Sequence, residues 1–147
     1  MKNTPYHLLF VDCDDECLNY MAKAITRNFA KCRGISDFFV SSSGFNVTSN
    51  KIDIYAVEVC KQYLNEVNRA EKPTEFDFTS AQFFDLIVIL DNSLSVKLPK
   101  ASNIVSITQI SGITLVRPRN HNVNEYVDTF RALQIACDVL LRKLIEE

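Results

Sequence analysis

The segment Asp12-Cys13-Asp14-Asp15-Glu16-Cys17 places four carboxylates and two thiols in six consecutive positions. Side chains of these types can do three kinds of work. A carboxylate can act as nucleophile or as general acid–base, and several carboxylate oxygens together can hold a divalent cation. A thiol can attack an electrophile once its pKa is depressed. Acids at the start of a helix also cap free amides and favour the helix dipole, which accounts for one or two of the four. Four together repel one another unless a cation or basic side chains lie nearby. Something positive is therefore expected to face this segment.

The elements that position it read as alternating strand and helix. His7–Val11 is a short apolar run that ends abruptly in charge, as a buried parallel strand does. Leu18, Met21, Ala22, Ile25 and Phe29 then recur at three- and four-residue steps, so the spacing predicts an amphipathic helix over residues 16–32. The acidic segment thus joins a strand to a helix. Phe38–Val40 reads as a second strand followed by a polar turn, Ser41–Gly44. Ala56, Val57, Cys60, Leu64 and Val67 outline a second helix ending before Pro73. Asp85–Leu90 is the clearest buried strand, and Asn103–Ile107 reads as another. Tyr126, Phe130, Leu133, Cys137, Leu140 and Leu144 form the stripe of a long closing helix, which Asn122 and Glu125 introduce in the manner of a capping box.

Strands separated by helices imply right-handed crossovers and a parallel sheet. Ligands of such folds bind beyond the carboxyl ends of the strands, which is where Asp12 and Asp91 fall. The expected architecture is α/β, a three-layer sandwich of a four-stranded parallel sheet with helices on both faces, as one domain over residues 1–147.

Composition narrows the function classes. Sixteen basic against eighteen acidic residues give a net charge of −2, without the basic excess of a nucleic-acid binder. No apolar run approaches the roughly 20 residues that span a bilayer, and Met1–Tyr6 lacks a secretory leader pattern. Five irregularly spaced cysteines read as reduced thiols of a cytoplasmic protein. Cys32, Cys60 and Cys137 lack metal-ligand spacing. Cys13 and Cys17 could form a redox pair, but the surrounding acids should raise their pKa values and slow oxidation.

Taken in order, several short segments resemble the low-molecular-weight protein tyrosine phosphatases. Leu9-Phe10-Val11, Cys17 and Met21-Ala22-Lys23-Ala24 are similar to the family's strand, phosphate loop and following helix. Val40-Ser41-Ser42-Ser43-Gly44 resembles its Ser-Ala-Gly-Thr turn, and Asp85-Leu86-Ile87 with Asp91-Asn92-Ser93 its Asp-Leu-Ile and Asp-x-Ser segment. Val116-Arg117-Pro118 sits where the family carries its Asp-Pro acid loop. The resemblance covers nearly the whole chain and implies the Rossmann-like phosphatase fold and a tyrosine-phosphatase ancestry.

The catalytic positions depart from that pattern. Aligned through Val11 and Cys17, the nucleophilic cysteine falls on Asp12, the phosphate-binding arginine on Leu18 and the loop serine on Asn19. The loop glycine and asparagine fall on Asp14 and Asp15, Glu16 follows them, and the general-acid aspartate falls on Arg117. Carboxylates there would repel both a thiolate and a phosphate. Where the family's acid loop would close, this chain has Arg117 and Arg119, with His121 following. Arg117 or Arg119 is expected to reach the Asp12–Glu16 cluster and plug the vestigial pocket. The expectation is a pseudoenzyme with no intact catalytic residue and no cofactor, a binding or regulatory domain for a protein partner or for self-association.

Two rival patterns share the strand-plus-aspartate signature. In a haloacid-dehalogenase-like phosphohydrolase, Asp12 would be the nucleophile, Asp14 the acid–base, and Asp12, Asp14 and Asp91 the magnesium ligands. Asp15-Glu16 stands where that family expects Gly-Thr. A response-regulator receiver would need Asp91 closer to Asp12 and a helix between Thr108 and Arg117, where the spacing leaves no room.

Overall fold

The computed structural model describes residues 4–65, 71–93, 98, 101–119 and 121–146. Its elements are β1 (Tyr6–Asp12), α1 (Leu18–Cys32), β2 (Phe38–Gly44), α2 (Ile54–Leu64), a 3-10 turn (Phe78–Phe83), β3 (Leu86–Ile89), β4 (Ile104–Ser106), α3 (Ile107–Ser111) and α4 (Val123–Glu146). The strands form one parallel sheet in the order β2-β1-β3-β4. Right-handed crossovers need this arrangement of short strands and intervening cover, so the α/β expectation holds.

The central strand β1 is buried on both faces. Leu8 and Phe10 point to one core with Val88, and this core takes in Tyr20, Met21 and Ile25 of α1, Val59 and Cys60 of α2, and Phe130, Leu133, Cys137 and Leu140 of α4. Leu9 and Val11 alternate to the other side, where Ile87 and Ile89 meet Phe76 and Leu98. The two faces are covered unequally. One carries the long helices α1, α2 and α4, and the other carries Ala81 of the 3-10 turn with Phe45 and Phe84.

Two boundaries differ from the sequence expectation, each for a physical reason. Ser41–Gly44 is not a turn but the continuation of β2, because Leu9–Asp12 of β1 supply pairing partners in register, Leu9 with Ser41 and Asp12 with Gly44. Polar side chains hid a strand whose pairing comes from its neighbour. Ile107 starts α3 and does not end β4, since Ser106 and Gln109 close a full capping box. The second helix spans Ile54–Leu64, and Val67 lies outside the described residues.

Helix α1 is also more buried than an amphipathic stripe requires. Leu18 through Thr26 are buried consecutively, among them the polar Asn19 and Lys23. Lys23 pairs with Glu71, a residue 48 positions away, so its charge is matched within the fold.

The end of β2 presses on the loop after β1. A Cβ placed on Gly44 would lie 2.8 Å from the carbonyl carbon of Asp14 and 2.8 Å from the amide nitrogen of Asp15. Both are backbone atoms that cannot rotate away. Gly44→Ala is expected to destabilise the protein by about 1–3 kcal/mol, the usual cost of overpacking, as read by urea unfolding. A change below about 0.5 kcal/mol, the range of neutral surface substitutions, would show that the loop is free to withdraw.

Candidate functional site

The segment after β1 is built around one buried carboxylate. Asp12 ends the strand with only 3% of its surface exposed. Its Oδ1 accepts the amide of Asp15 at 2.7 Å, and its Oδ2 accepts the amide of Asn19 at 3.2 Å. Asn19 is the second residue of α1, whose preceding residue Cys17 offers no side-chain cap. Asp12 therefore supplies the missing cap from seven residues upstream. The ordinary role of an acid at a helix start is correct for this residue.

Asp15 turns the chain back with φ 59°, in the left-handed region, which aspartate enters more readily than most side chains. Its carboxylate is then fixed twice over, by the Asn19 Nδ2 donor at 2.8 Å and the Thr74 amide at 2.8 Å. Asn19 Nδ2 also reaches the Ser43 carbonyl at 3.0 Å. The loop carbonyls are held as well: Asp12 accepts from the Phe45 amide, Cys13 from Asn46 and Glu16 from Asp53. Asp53 in turn caps α2 through the Tyr55 amide and accepts the Tyr126 hydroxyl at 2.5 Å. Thr74, Ser43, Asp53 and Tyr126 are thus part of the site's support. No local sequence pattern points to them, since each acts across the fold.

The positive group that the acids require is Arg117. Its guanidinium pairs with Asp14, whose other oxygen accepts the Glu16 amide at 3.1 Å. Arg119 does not reach the cluster. It pairs with Glu125 at 2.5 Å, and Glu125 is held at the start of α4 by the Asn122 side chain. His121 likewise turns elsewhere, its Nδ1 lying 2.5 Å from the Tyr55 hydroxyl. Of the two candidate arginines, Arg117 is the one that meets the acids.

Above the loop lies a cleft of about 280 Å³ lined by Asp12, Cys13, Leu18, Asp91, Leu115, Val116 and Arg117. The topology therefore brings Asp12, Cys13 and Leu18 together with Asp91 and residues 115–117. Leu18, which lines the cleft, is buried.

Both loop thiols are free, Cys13 exposed and Cys17 buried. Desolvation foremost, and then Asp14, Asp12 and Asp91, raise the Cys13 pKa, against a smaller lowering by Arg117. Burial pushes Cys17 much further up, with Asp53 adding to it. Neither thiol has the depressed pKa of a nucleophile. Burial also pushes the Asp12 carboxyl up to about 7; the Asp15 amide opposes this, while the Asp14 and Asp15 charges add to it. For Arg117, burial opposes the charge and Asp14 more than restores it, so its pKa is raised.

A magnesium site of Asp12, Asp14 and Asp91 does not fit this arrangement. The Asp12 oxygens face amide donors, Asp14 faces a guanidinium, and Asp91 Oδ1 accepts the amide and hydroxyl of Ser93 at 3.0 and 2.7 Å. Among the described residues no three His, Cys, Asp or Glu side chains converge as a metal-binding group.

A parallel sheet with its loop and cleft beyond the carboxyl end of β1 defines an α/β protein whose site lies at that end of the sheet. The chain matches the low molecular weight phosphotyrosine protein phosphatase family over residues 7–147, and it belongs to that family. Solved structures agree in fold. A low molecular weight protein tyrosine phosphatase from T. tengcongensis superposes with a TM-score of 0.85 at 22% identity, over 94% of this chain and 99% of that one. A low molecular weight phosphotyrosine phosphatase from Vibrio cholerae O395 gives 0.85 at 15% identity, over 96% and 97%. The YwlE arginine phosphatase from Geobacillus stearothermophilus gives 0.80 at 19%, over 97% and 94%. Among curated proteins no match is found.

The raised Asp12 pKa has a signed consequence. Between its ordinary value of 3.8 and about 7, the unfolded chain releases a proton that the folded chain keeps, so stability falls as pH rises through that window and levels off above it. The slope attributable to Asp12 is about 1.4 kcal/mol per pH unit at most. In urea unfolding between pH 5.5 and 7, the wild type is expected to lose stability and Asp12→Asn to lose most of that dependence. A flat wild-type profile, or an unchanged slope in the variant, would contradict the assignment.

Proposed function

We propose that this chain is a noncatalytic member of its family, a pseudophosphatase that acts as a binding or regulatory domain through a protein partner. The observation that carries this reading is the Asp12 carboxylate. It stands at the position aligned with the family's nucleophilic cysteine and itself takes up the amides of Asp15 and Asn19. A phosphate cradle needs such amides to converge on an incoming oxyanion, and here an internal oxyanion already holds two of them.

The surrounding chemistry argues the same way. An anchoring guanidinium is replaced by Leu18, and Asp14 and Asp91 add negative charge near where a phosphate would sit. The acid-loop position carries Arg117, a group that stays protonated and cannot give its proton to a leaving oxygen. Cys13 cannot take over as nucleophile, because its pKa is raised and its charged neighbours repel a phosphate dianion.

The five free thiols suit a reducing compartment, and we place the protein in the cytoplasm. Among the described residues no helix is long and apolar enough to cross a membrane.

The direct test is hydrolysis of p-nitrophenyl phosphate and of a phosphotyrosine peptide, with and without magnesium. The expected result is no turnover above the buffer blank in any condition. Magnesium-dependent turnover lost in Asp12→Ala would install Asp12 as a nucleophile instead. Metal-independent turnover lost in Cys13→Ser would show that the nucleophile is aligned one position too early.

A further inference from the structure

Helix α2 carries more apolar surface than its own core covers. Eight of its eleven residues are aliphatic, aromatic or cysteine, yet only Ala56, Val59 and Cys60 are buried. Ile54, at its start, is 67% exposed. A helix on the outside of a fold ordinarily turns a polar face to water. Between α2 and the start of α4 runs an open groove of about 510 Å³ with Tyr55, Val59, Val123 and Tyr126 as its apolar lining. Val123 is itself 56% exposed.

The charges at this groove restrict what can cover it. They are Glu58 and Lys61, three positions apart and so on one side of the helix. Among the described residues neither makes an ion pair. A partner surface of one sign would match one of them and meet like charge at the other.

A second copy of the same helix matches both. Two α2 helices laid antiparallel about a two-fold axis between positions 58 and 61 set Glu58 of each copy against Lys61 of the other. One contact is then made twice, the signature of a self-complementary patch. In that register position 54 falls opposite position 65, so Ile54 leaves water against the Leu64–Asn65 end of the other helix.

We propose that this face of α2, with the start of α4, is the interface of a two-fold dimer of this chain. The proposal goes beyond the noncatalytic reading and does not need it, since Ile54, Glu58 and Lys61 are not among the residues lining the cleft above the acidic loop. Eleven helical residues extend about 16 Å. The contact is therefore at the small end of specific interfaces, and dissociation is expected in the micromolar range.

The test is sedimentation equilibrium of the full chain from low micromolar to millimolar concentration. The mass is expected to rise from that of one chain to that of two and stop there, because the patch is closed by its own symmetry. Glu58→Lys and Lys61→Glu are each expected to weaken association roughly ten-fold, since the two-fold axis makes one reversal turn both pairs into like charges. The double reversal restores both pairs and is expected to associate within about three-fold of wild type. An equimolar mixture of the two single variants is expected to form a dimer with one chain of each. Ile54→Asp, which suits a helix start and removes the apolar contact, is expected to stay single. All three positions are exposed, and unchanged circular dichroism confirms that each variant folds.

A wild-type chain that stays single at every concentration overturns the proposal and leaves the face to a different protein. Single reversals that associate like wild type, a double reversal that does not recover, or a mass that grows past two chains also overturn it. Turnover of a phosphate ester would remove the noncatalytic reading and leave these masses unchanged.

Discussion

One carboxylate, taken out of water at the end of the central strand, organises this end of the molecule. Burying an unpaired ion costs several kcal/mol, and the chain offsets that cost with two backbone amides and a pKa that lets Asp12 carry a proton near neutrality. Accepting those amides requires the loop to double back, which places Asp15 at positive φ. Asp15 is then fixed by Asn19 and Thr74, and Gly44 leaves room for the returning backbone. Each of these residues answers a demand set by the one before it.

The sign of the charge then decides the chemistry. Phosphoryl transfer in this fold family depends on amides and a guanidinium aimed at an incoming anion, with a depressed thiol pKa beneath them. Here two amides meet an internal carboxylate, the apolar Leu18 lines the cleft, and both thiols are shifted upward. The positive charge has moved to the opposite side of the cleft, on Arg117, where it answers Asp14. The family's fold is retained around a sheet of order β2-β1-β3-β4, and the reading proposed above is of a site with reversed polarity.

Much of this could be read from local sequence. Apolar runs bounded by charge located β1 and β3, and the four-three spacing located α4, because burial writes its period directly into those segments. Four carboxylates within five positions announced a cation and left Arg117 and Arg119 as its candidates; the fold selects Arg117. What could not be read lay in contacts between distant segments. Ser41–Ser43 looked like a turn because their strand pairing is imposed by β1. Arg119 is drawn away from the acidic loop by Glu125, six residues on at the start of α4. Lys23 is buried against Glu71, a partner 48 residues away that no local spacing points to. The Thr74 amide carries no side-chain signature at all.

Asp12 already satisfies two amides at this loop, those of Asp15 and Asn19, and the noncatalytic reading depends on it. Its most direct test is a titration of the folded protein with inorganic phosphate at constant pH and ionic strength, following the Asp15 and Asn19 amide resonances. The account expects those two resonances to stay in place while the loop keeps its internal bonds. A saturable shift of both, with phosphate bound among the amides of residues 13–19, would contradict it.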